Sequence, residues 1–435
     1  MTLVEVRRRL GGAAYSFHRE GLHMDNGQHV FLRCCSAYRA LLRGIGSERL
    51  VSVQPRLQIP VLKPGARPFL LRRSSLPAPL QLAGALARYP HLTLRQRAGA
   101  ARAALALLRL KESSARELER ITFGEWLARF GQGDDAVAAL WDLIALPTLN
   151  IPAARASLGL SAFVFRTGLL SGADAGDIGF HDATLSETIG EPAGRALAAA
   201  GVEVMLGWRA ERLRRAAGAI EVQGSGGDGL SAEVAIVALP HARAAALLQE
   251  PAEGLARRIG ALESSPIVNL HVVYDRPVLR YPFAAGVGTP VQYLFDRSAA
   301  AGAPAGCQYL AVSLSGAEQE MQMSVDALRE RYEPALRELL PVARHARMEA
   351  FVATREHAAT FRASPGVGAL RPGPQTPVEG LLLAGAWTDT GWPATLEGAV
   401  LSGHAAADRA LGMLELSERS AETASGALAH GRTRR

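Results

Sequence analysis

Acidic, basic and glycine residues lie close together at the start of this sequence, at the end of a short apolar strand over residues 2–6 and just after it. In a dinucleotide-binding βαβ unit, an acid at the end of the second strand accepts the ribose hydroxyls. Arginines beyond it neutralise the pyrophosphate, and glycines let the backbone approach the ligand closely. We therefore predict that a dinucleotide is bound by the acid, basic residues and glycines found here, which are Glu5, Arg7, Arg9, Gly11 and Gly12.

A second polar segment, residues 25–29, places five hydrogen-bonding or flexible residues in a row, Asp-Asn-Gly-Gln-His. Such a segment could line a cofactor ring, and it could equally form an Asx-type turn. Gln28 is a candidate cofactor ligand here. His29 is a candidate acid, because histidine exchanges protons near neutral pH.

The third segment follows a buried apolar strand that ends at Gly385. Polar residues come next, and Pro393 marks the start of a helix. The N-terminus of a helix presents free N–H groups and the positive end of its dipole, which stabilise negative charge. We predict cofactor contacts at Gly385, Pro393, Ala394 and Thr395, and Asp389 is a second candidate acid.

Together these segments resemble the flavin-dependent amine oxidase and carotenoid desaturase superfamily. The resemblance runs from residue 2 to about residue 412, and residues 25–29, 141–150 and 388–398 make it most similar to the squalene-associated group, the hydroxysqualene dehydroxylases. Residues 2–17 are characteristic of the superfamily only.

The resemblance implies FAD as the cofactor and reductive removal of the hydroxyl group of hydroxysqualene as the reaction, in squalene and hopanoid biosynthesis. Glu5 would bind the adenosine ribose, Arg7 would approach the pyrophosphate, and Val204 would offer a backbone contact to the adenine half. The competing hypotheses are a carotenoid-type desaturase, a flavin amine oxidase, and an inactive lipid-binding protein that lacks FAD.

Three departures from the family pattern are visible. No strand and no G-x-G-x-x-G turn precede Glu5, so the sequence predicts a chain truncated at its N-terminus and without the first βα unit. Ala13 stands where an arginine is common, and Ala386 stands where an aspartate often holds the ribityl chain.

The order of the elements predicts an α/β fold with an α+β insert. The Rossmann-like FAD-binding domain is assembled from distant segments, and a helical and β-sheet substrate domain is threaded through it. The FAD-binding domain is expected over residues 1–50, 185–240 and 370–413, the substrate domain over 51–184 and 241–369, and a disordered tail over 417–435.

Apolar periodicity predicts a mostly helical stretch over residues 76–170 and a strand over 267–274, with 291–295 and 309–313 in the same sheet. The glycine cluster at 224–229 precedes no helix, which favours a hairpin turn over a phosphate loop. Ordinary burial habits make the three remaining prominent histidines core or surface residues: His181, His241 and His271.

Charge is distributed unevenly along the chain. Residues 1–120 contain 21 Lys and Arg against 7 Asp and Glu, and no acid occurs between Glu48 and Glu112. The arginines there alternate with leucine rather than with stacking aromatic residues, which argues against nucleic acid and favours an anionic membrane surface. We expect a peripheral protein on the cytoplasmic face of the cell membrane, with a C30 isoprenoid substrate, an unidentified flavin reductant and no metal.

Overall fold

The computed structural model describes residues 1–110 and 118–431, and only the backbone over residues 416–431. Residues 111–117 of the predicted helical stretch and residues 432–435 of the predicted tail lie outside the described residues. The chain forms two compact units. The larger unit comprises Met1, Arg9–Glu203 and Glu263–Gly368, and the smaller unit comprises Thr2–Arg8, Val204–Leu262 and Ala369–Arg435.

The α-helices of the described residues are mostly shorter than ten residues. In chain order they are α1 (Ser36–Gly44), α2 (Ala83–Arg88), α3 (Leu94–Arg109), α4 (Phe123–Ala128), α5 (Asp134–Ala136), α6 (Asp142–Leu149), α7 (Leu158–Phe165), α8 (Glu191–Ala199), α9 (His241–Leu248), α10 (Glu253–Gly260), α11 (Ser298–Ala301), α12 (Val325–Leu339) and α13 (Leu396–Gly431).

The strands are short except for three in one sheet. In chain order they are β1 (Thr2–Glu5), β2 (Ser16–Arg19), β3 (Leu22–Asp25), β4 (Phe31–Leu32), β5 (Val51–Val53), β6 (Gln58–Leu62), β7 (Phe69–Arg72), β8 (Ile178–His181), β9 (Glu203–Leu206), β10 (Ala210–Ala216), β11 (Ala219–Gly224), β12 (Gly229–Ala232), β13 (Ala235–Val237), β14 (Ser264–Tyr274), β15 (Phe283–Gly286), β16 (Tyr293–Asp296), β17 (Gln308–Ser315), β18 (Met348–Phe361) and β19 (Leu381–Leu383).

A seven-stranded sheet is the centre of the larger unit, in the order β18-β14-β17-β16-β15-β6-β7. All neighbours are antiparallel except β15 and β6, which are parallel. The predicted grouping of 267–274, 291–295 and 309–313 in one sheet is confirmed. One face of β14, with Val268, Leu270 and Val272, packs in a core with Leu328 and Leu336 of α12.

The opposite face of β14 carries the residues that will matter for the site. Val273 lies there in a second core with Leu22 and Met24 of the β2–β3 hairpin. Because side chains alternate along a strand, Asn269 and His271 share this face with Val273. The hairpin and the loop after it are therefore fixed against the central sheet of the larger unit.

Helices α3 to α7 form a separate aromatic core in the larger unit, around Phe123, Trp126, Trp141 and Phe165. The helix starts are set locally. Thr93 forms a capping box with Gln96 at α3, in which each side chain accepts a hydrogen bond from the other residue's backbone N–H. Three five-residue π-helical segments also lie in this unit, over 137–141, 166–170 and 186–190.

The smaller unit contains three small sheets. Strands β1 and β9 pair, β13 and β19 pair in parallel, and β10, β11 and β12 form an antiparallel sheet. The turn between β11 and β12 contains the glycine cluster, so its prediction as a hairpin turn is confirmed. Among the described residues, none of the helices combines the length and the apolar character needed to cross a bilayer.

Two features differ from the expected organisation. The compact units divide the chain elsewhere than the predicted domains, because the β2–β3 hairpin packs on the larger unit's sheet and α9 packs on α10 in the smaller unit. Which segments bind the cofactor stays a prediction. The tail expected to be disordered from residue 417 is helical to Gly431, and its alanines, leucines and glutamates are good helix formers.

Candidate active site

The loop that follows β3 in the larger unit begins at a buried aspartate. Asp25 pairs with Arg297, whose Nη2 lies 3.0 Å from Oδ2, and both side chains are almost fully buried. Oδ1 accepts hydrogen bonds from Ser16 Oγ at 2.7 Å and from the Leu185 N–H at 2.9 Å. Arg297 also donates to the carbonyls of His181 and Ala183. This carboxylate is therefore saturated by partners that fix the start of the loop.

Asn26 is also fully engaged. Its side-chain Oδ1 accepts from the Tyr15 N–H at 3.1 Å, and Nδ2 donates to Glu356 Oε1 at 2.8 Å. Its backbone carbonyl accepts from Asn269 Nδ2 at 3.1 Å and from Thr354 Oγ1 at 3.0 Å. The bond network ties the loop to β14 and β18, so Asn26 serves the fold of the loop.

Two buried amide atoms beside this loop have no hydrogen-bond partner within the described residues: Gln28 Nε2 and Asn269 Oδ1. The Asn269 amide packs on Gly27, where a Cβ would lie 3.0 Å from Nδ2. Since Nδ2 donates to Asn26, the orientation of the Asn269 amide is fixed and Oδ1 is the free acceptor. A buried donor and a buried acceptor without partners are costly, and a polar ligand would satisfy both.

His29 ends the loop and is half-buried. Its Nδ1 lies 3.1 Å from the Gly27 carbonyl oxygen. Because a carbonyl only accepts, Nδ1 carries a hydrogen and Nε2 is left to exchange a proton. Burial lowers the pKa of His29 from its ordinary 6.5, and the Gly27 carbonyl and the charges of Asp25 and Glu356 oppose this.

A buried histidine holds the backbone of His29. His181 Nδ1 lies 2.9 Å from the His29 carbonyl oxygen, and Nε2 lies 2.7 Å from the Tyr38 hydroxyl. Nδ1 therefore donates, and Nε2 accepts from Tyr38. Burial, with smaller contributions from His29 and Arg297, lowers the pKa of His181 to about 3. His181, His241 and His271, predicted to be core or surface residues, are all buried.

The basic and glycine residues after β1 have local partners in the larger unit. The Arg9 guanidinium lies 3.5 Å from the centroid of the Tyr15 ring and donates to the Gly12 carbonyl at 3.0 Å. Gly11 has a φ of 100°, and a Cβ at this position would lie 2.6 Å from the Ala14 carbonyl oxygen. The local path of the chain therefore requires a glycine, and its proposed cofactor role stays a prediction.

Glu5, the acid at the end of β1, lies in the smaller unit. Glu5 is half-buried, and its Oε1 accepts the Arg7 N–H at 2.7 Å. The Glu5 carbonyl accepts the Trp208 N–H at 3.0 Å, which ties the end of β1 to the turn after β9. Val204 lies in β9, the strand paired with β1. The carboxylate is thus fixed at a strand end, where the dinucleotide hypothesis requires it.

The segment after β19 turns at Gly385, which has a φ of 142°. A Cβ at this position would lie 2.5 Å from Trp387 Nε1, so a larger residue would displace the indole. The Gly385 N–H donates to Ser402 Oγ of α13 at 2.8 Å. A glycine is therefore required by the path of the chain, whatever else it binds.

A buried arginine organises the rest of this segment. The Arg371 guanidinium donates to the carbonyls of Trp387 at 3.2 Å, Thr388 at 2.5 Å and Trp392 at 2.7 Å. Asp389 is exposed, and its carboxylate lies 3.3 Å from the Gly391 N–H that donates to it. Because Arg371 binds three backbone carbonyls of this segment, the polar backbone groups that it leaves unbound are mainly N–H donors.

The helix α13 begins at Leu396, three residues after the start predicted at Pro393. Thr395 is the N-cap, and its Oγ1 accepts the Gly398 N–H at 3.2 Å. Pro393 is buried, and Ala394 is half-buried. These three residues lead into the positive end of the helix dipole, which suits a negatively charged ligand.

The predicted site residues divide between the two units. Gln28, His29, Arg9, Gly11 and Gly12 belong to the larger unit, and Glu5, Arg7, Val204, Gly385, Asp389, Pro393, Ala394 and Thr395 belong to the smaller unit. Their roles in catalysis or cofactor binding stay predictions.

Sequence reasoning missed Arg297, Arg371 and Asn269. The two arginines carry no signal that distinguishes them from surface arginines. Asn269 has one, because an amide inside the apolar run of residues 267–273 is unusual for a buried strand.

Comparison with known proteins identifies the class. Residues 1–411 match the family model described as flavin containing amine oxidoreductase, and the chain belongs to this family. It is 30% identical to the hydroxysqualene dehydroxylase of Rhodopseudomonas palustris over 420 residues, 94% of this chain and 91% of that protein. It is also 29% identical to the zeta-carotene desaturase of Zea mays over 150 residues, 32% of this chain and 26% of that protein.

The fold is likewise that of a known enzyme class. A structure of putrescine oxidase superposes with a TM-score of 0.71 at 16% identity, covering 94% of this chain and 92% of that chain. This confirms the predicted fold class, an α/β FAD-binding domain with a substrate domain. The chain is an FAD-dependent oxidoreductase, with FAD as its cofactor.

The residues present suit a flavin. Its pyrimidine edge offers carbonyl acceptors and an N–H donor, which match the unpartnered Gln28 Nε2 and Asn269 Oδ1. In the smaller unit, Glu5 could accept ribose hydroxyls through the oxygen that Arg7 leaves free. The start of α13, also in the smaller unit, suits a negatively charged ligand.

Proposed function

We propose that this protein removes the hydroxyl group of hydroxysqualene reductively and so produces squalene. The C–O bond breaks, the oxygen leaves as water, and a C–H bond forms at the same carbon. When bound, reduced FAD supplies the hydride for that bond. The protein must supply a proton to the departing hydroxyl and exclude water from the resulting allylic cation.

One observation carries the proposal. The similarity to the Rhodopseudomonas palustris hydroxysqualene dehydroxylase extends over 94% of this chain and 91% of that protein. Similarity over nearly the whole length includes segments of both compact units of the chain. The similarity to the Zea mays zeta-carotene desaturase covers 26% of that protein.

Our proposal assigns the proton to His29 in preference to Asp389. Nε2 of His29 is free to exchange a proton, since Nδ1 donates to Gly27. Asp389 is exposed and already accepts the Gly391 N–H. The lowered pKa of His29 means that only its protonated fraction can act as acid at neutral pH. Turnover should therefore rise as the pH falls below 6.5, until the pKa of His29 is passed.

The decisive experiment uses anaerobic protein whose flavin has been reduced chemically. Addition of hydroxysqualene should reoxidise the flavin, seen as the return of absorbance near 450 nm, with squalene formed in equal amount. If the flavin stays reduced, the proposed reaction is wrong. Reduction of the oxidised flavin by a carotene precursor or by an amine would establish a desaturase or an amine oxidase instead.

The proton donor is tested with His29→Gln and Asp389→Asn. General acids typically contribute 10²- to 10⁴-fold, so we expect the first variant to lose about that much and to lose the low-pH rise in rate. We expect the second variant to keep the pH profile. A loss of the low-pH rise in Asp389→Asn alone would reverse the assignment.

A further inference from the structure

One face of α3 in the larger unit has an unusual composition for a surface that contacts water. Residues spaced three or four apart along the helix share this face. All are exposed, and two are leucines with 78% and 48% of their surface accessible, at positions 94 and 105. We call it the α3 face, and its members are Leu94, Arg95, Ala98, Arg102, Leu105 and Arg109.

The fold of the helix does not require these leucines. The opposite face of α3 is buried through Gly99, Ala100, Ala103 and Leu107, which pack in the aromatic core of the helical region. The exposed leucines therefore add nothing to that core. Residues before the helix continue the pattern, since Leu76 is 49% and Leu80 is 52% exposed.

The positive charge of the α3 face is carried by Arg95, Arg102 and Arg109. None of them forms an ion pair with another described residue. No acid occurs in the sequence from residue 49 to residue 111. Elsewhere in the larger unit, exposed arginines pair with carboxylates, as Arg329 does with Glu333 at 2.9 Å and Arg347 with Glu349.

A shallow groove of about 350 Å³ lies at this face, and its lining combines apolar side chains with two arginines. Its residues are Arg102, Leu105, Ala106, Arg109, Leu110 and Phe130. An apolar groove flanked by cations is complementary to a lipid, whose acyl chain is apolar and whose headgroup carries a negative charge.

We propose that the α3 face docks this protein on an anionic lipid bilayer. Leu94 and Leu105 enter the boundary between headgroups and acyl chains, and the three arginines bind lipid phosphates. The proposal stands on the surface itself and is independent of the reaction. Nucleic acid suits the face less, since none of its six members is aromatic and the groove beside it contains a single, half-buried aromatic ring, Phe130, for bases to stack on.

The structure also separates these arginines from two neighbours that the sequence cannot distinguish from them. Arg73 pairs with the buried Asp177 at 2.6 Å. Arg97 donates to the carbonyls of Leu92 at 3.0 Å and Ala87 at 2.7 Å. Substituting Arg73 or Arg97 would disturb the fold, so neither belongs in a test of lipid binding.

The test is co-sedimentation of the flavin-containing protein with vesicles of phosphatidylcholine containing 30% phosphatidylglycerol. The variant replaces Arg95, Arg102 and Arg109 with Gln. Each basic residue near an anionic surface is worth roughly fivefold in affinity, so three should account for about 100-fold. The matched control replaces Arg276, Arg329 and Arg347 with Gln, which lowers the net charge equally, and it should bind almost as well as the unmodified protein.

A further variant with two substitutions distinguishes insertion of the leucines into the bilayer from electrostatic attraction alone. Leu94→Ser with Leu105→Ser should abolish the binding that survives in high salt, because salt screens the arginines but not the leucines. The proposal is overturned by absence of binding to the anionic vesicles, by an equal loss in the control, or by tighter binding to a DNA duplex with the same arginine dependence. Flavin content and turnover are measured separately, so failure of the proposed reaction leaves this result unaffected.

Discussion

The loop over residues 25–29 in the larger unit and the segment over residues 385–395 in the smaller unit are held in different ways. In the first, side chains of the loop are the anchors, as Asp25 binds Arg297 and Asn26 binds Glu356. In the second, one external side chain, Arg371, binds three loop carbonyls.

The difference shows where chemistry remains available in each unit. Anchoring through its own side chains leaves the first loop with two functional groups, the Gln28 amide and His29 Nε2. Anchoring through carbonyls leaves the second segment with backbone donors at a helix start. The first loop therefore suits proton transfer and ring recognition, and the second suits stabilisation of negative charge.

The largest effect is expected from removal of Asp25, the main anchor of the first loop. Asp25→Ala leaves the largely buried Arg297 charge without its carboxylate, and loss of one partner of a buried ion pair costs about 3–5 kcal/mol. Urea denaturation should show a decrease of this size in the free energy of unfolding. The control is Asp174→Ala, since Asp174 is 61% exposed and pairs with Arg33 at 3.5 Å, and it should cost less than about 1 kcal/mol. Similar losses in both variants would contradict the anchoring role.

The second segment is tested at Arg371. Arg371→Ala removes the donor to three carbonyls, at a cost of about 1–3 kcal/mol for each group left buried without a partner. We expect purified protein to retain at least tenfold less FAD, measured as absorbance near 450 nm per mole of protein. The control is Arg243→Ala, an exposed position of the smaller unit. Normal flavin content in Arg371→Ala would show that the segment does not hold the cofactor.

We expect the larger unit to lose stability in acid because of His181, which binds the His29 carbonyl. The pKa of His181 is about 3 in the folded chain, against an ordinary value of 6.5. Between these values the unfolded chain binds more protons, so the stability contributed by neutral His181 falls as the pH falls below 6.5, by up to about 1.4 kcal/mol per pH unit.

His181→Gln should therefore flatten the dependence of the unfolding free energy on pH between 6.5 and 4. The exposed His404→Gln should leave it unchanged. Equal slopes for the unmodified protein and His181→Gln would show that His181 is not buried in its neutral form.

The smallest expected effect distinguishes whether Gln28 of the first loop binds the cofactor or stabilises the fold. Gln28→Met removes a buried donor without a partner, so the protein without flavin should gain about 1 kcal/mol in stability. FAD affinity should fall about tenfold through loss of one hydrogen bond, measured by titration of the apoprotein. A loss of stability without flavin would mean that Gln28 serves the fold. Gln319→Met, at an exposed position, is the control and should change neither quantity.

Much of the fold followed from local patterns. The strand over residues 267–274 and the helix after Thr395 were predictable because apolar periodicity and capping residues act over a few positions. The long strand β18, over Met348–Phe361, was not predicted, because charged residues interrupt the alternation of apolar and polar residues that indicates a strand. The joining of β6 to the sheet through a parallel pair with β15 was also invisible, since it links residues more than 200 positions apart.

Residue types and short spacings were enough to predict the class of protein and its cofactor, and they show that no acid occurs from residue 49 to residue 111. They do not show which of several similar side chains are engaged in the folded chain. Asp25, Arg73 and Arg371 are held by buried partners, whereas His29 and Arg95 are left available. The physical reason is that burial and hydrogen-bond saturation are set by partners distant in sequence, and a residue's type does not record them.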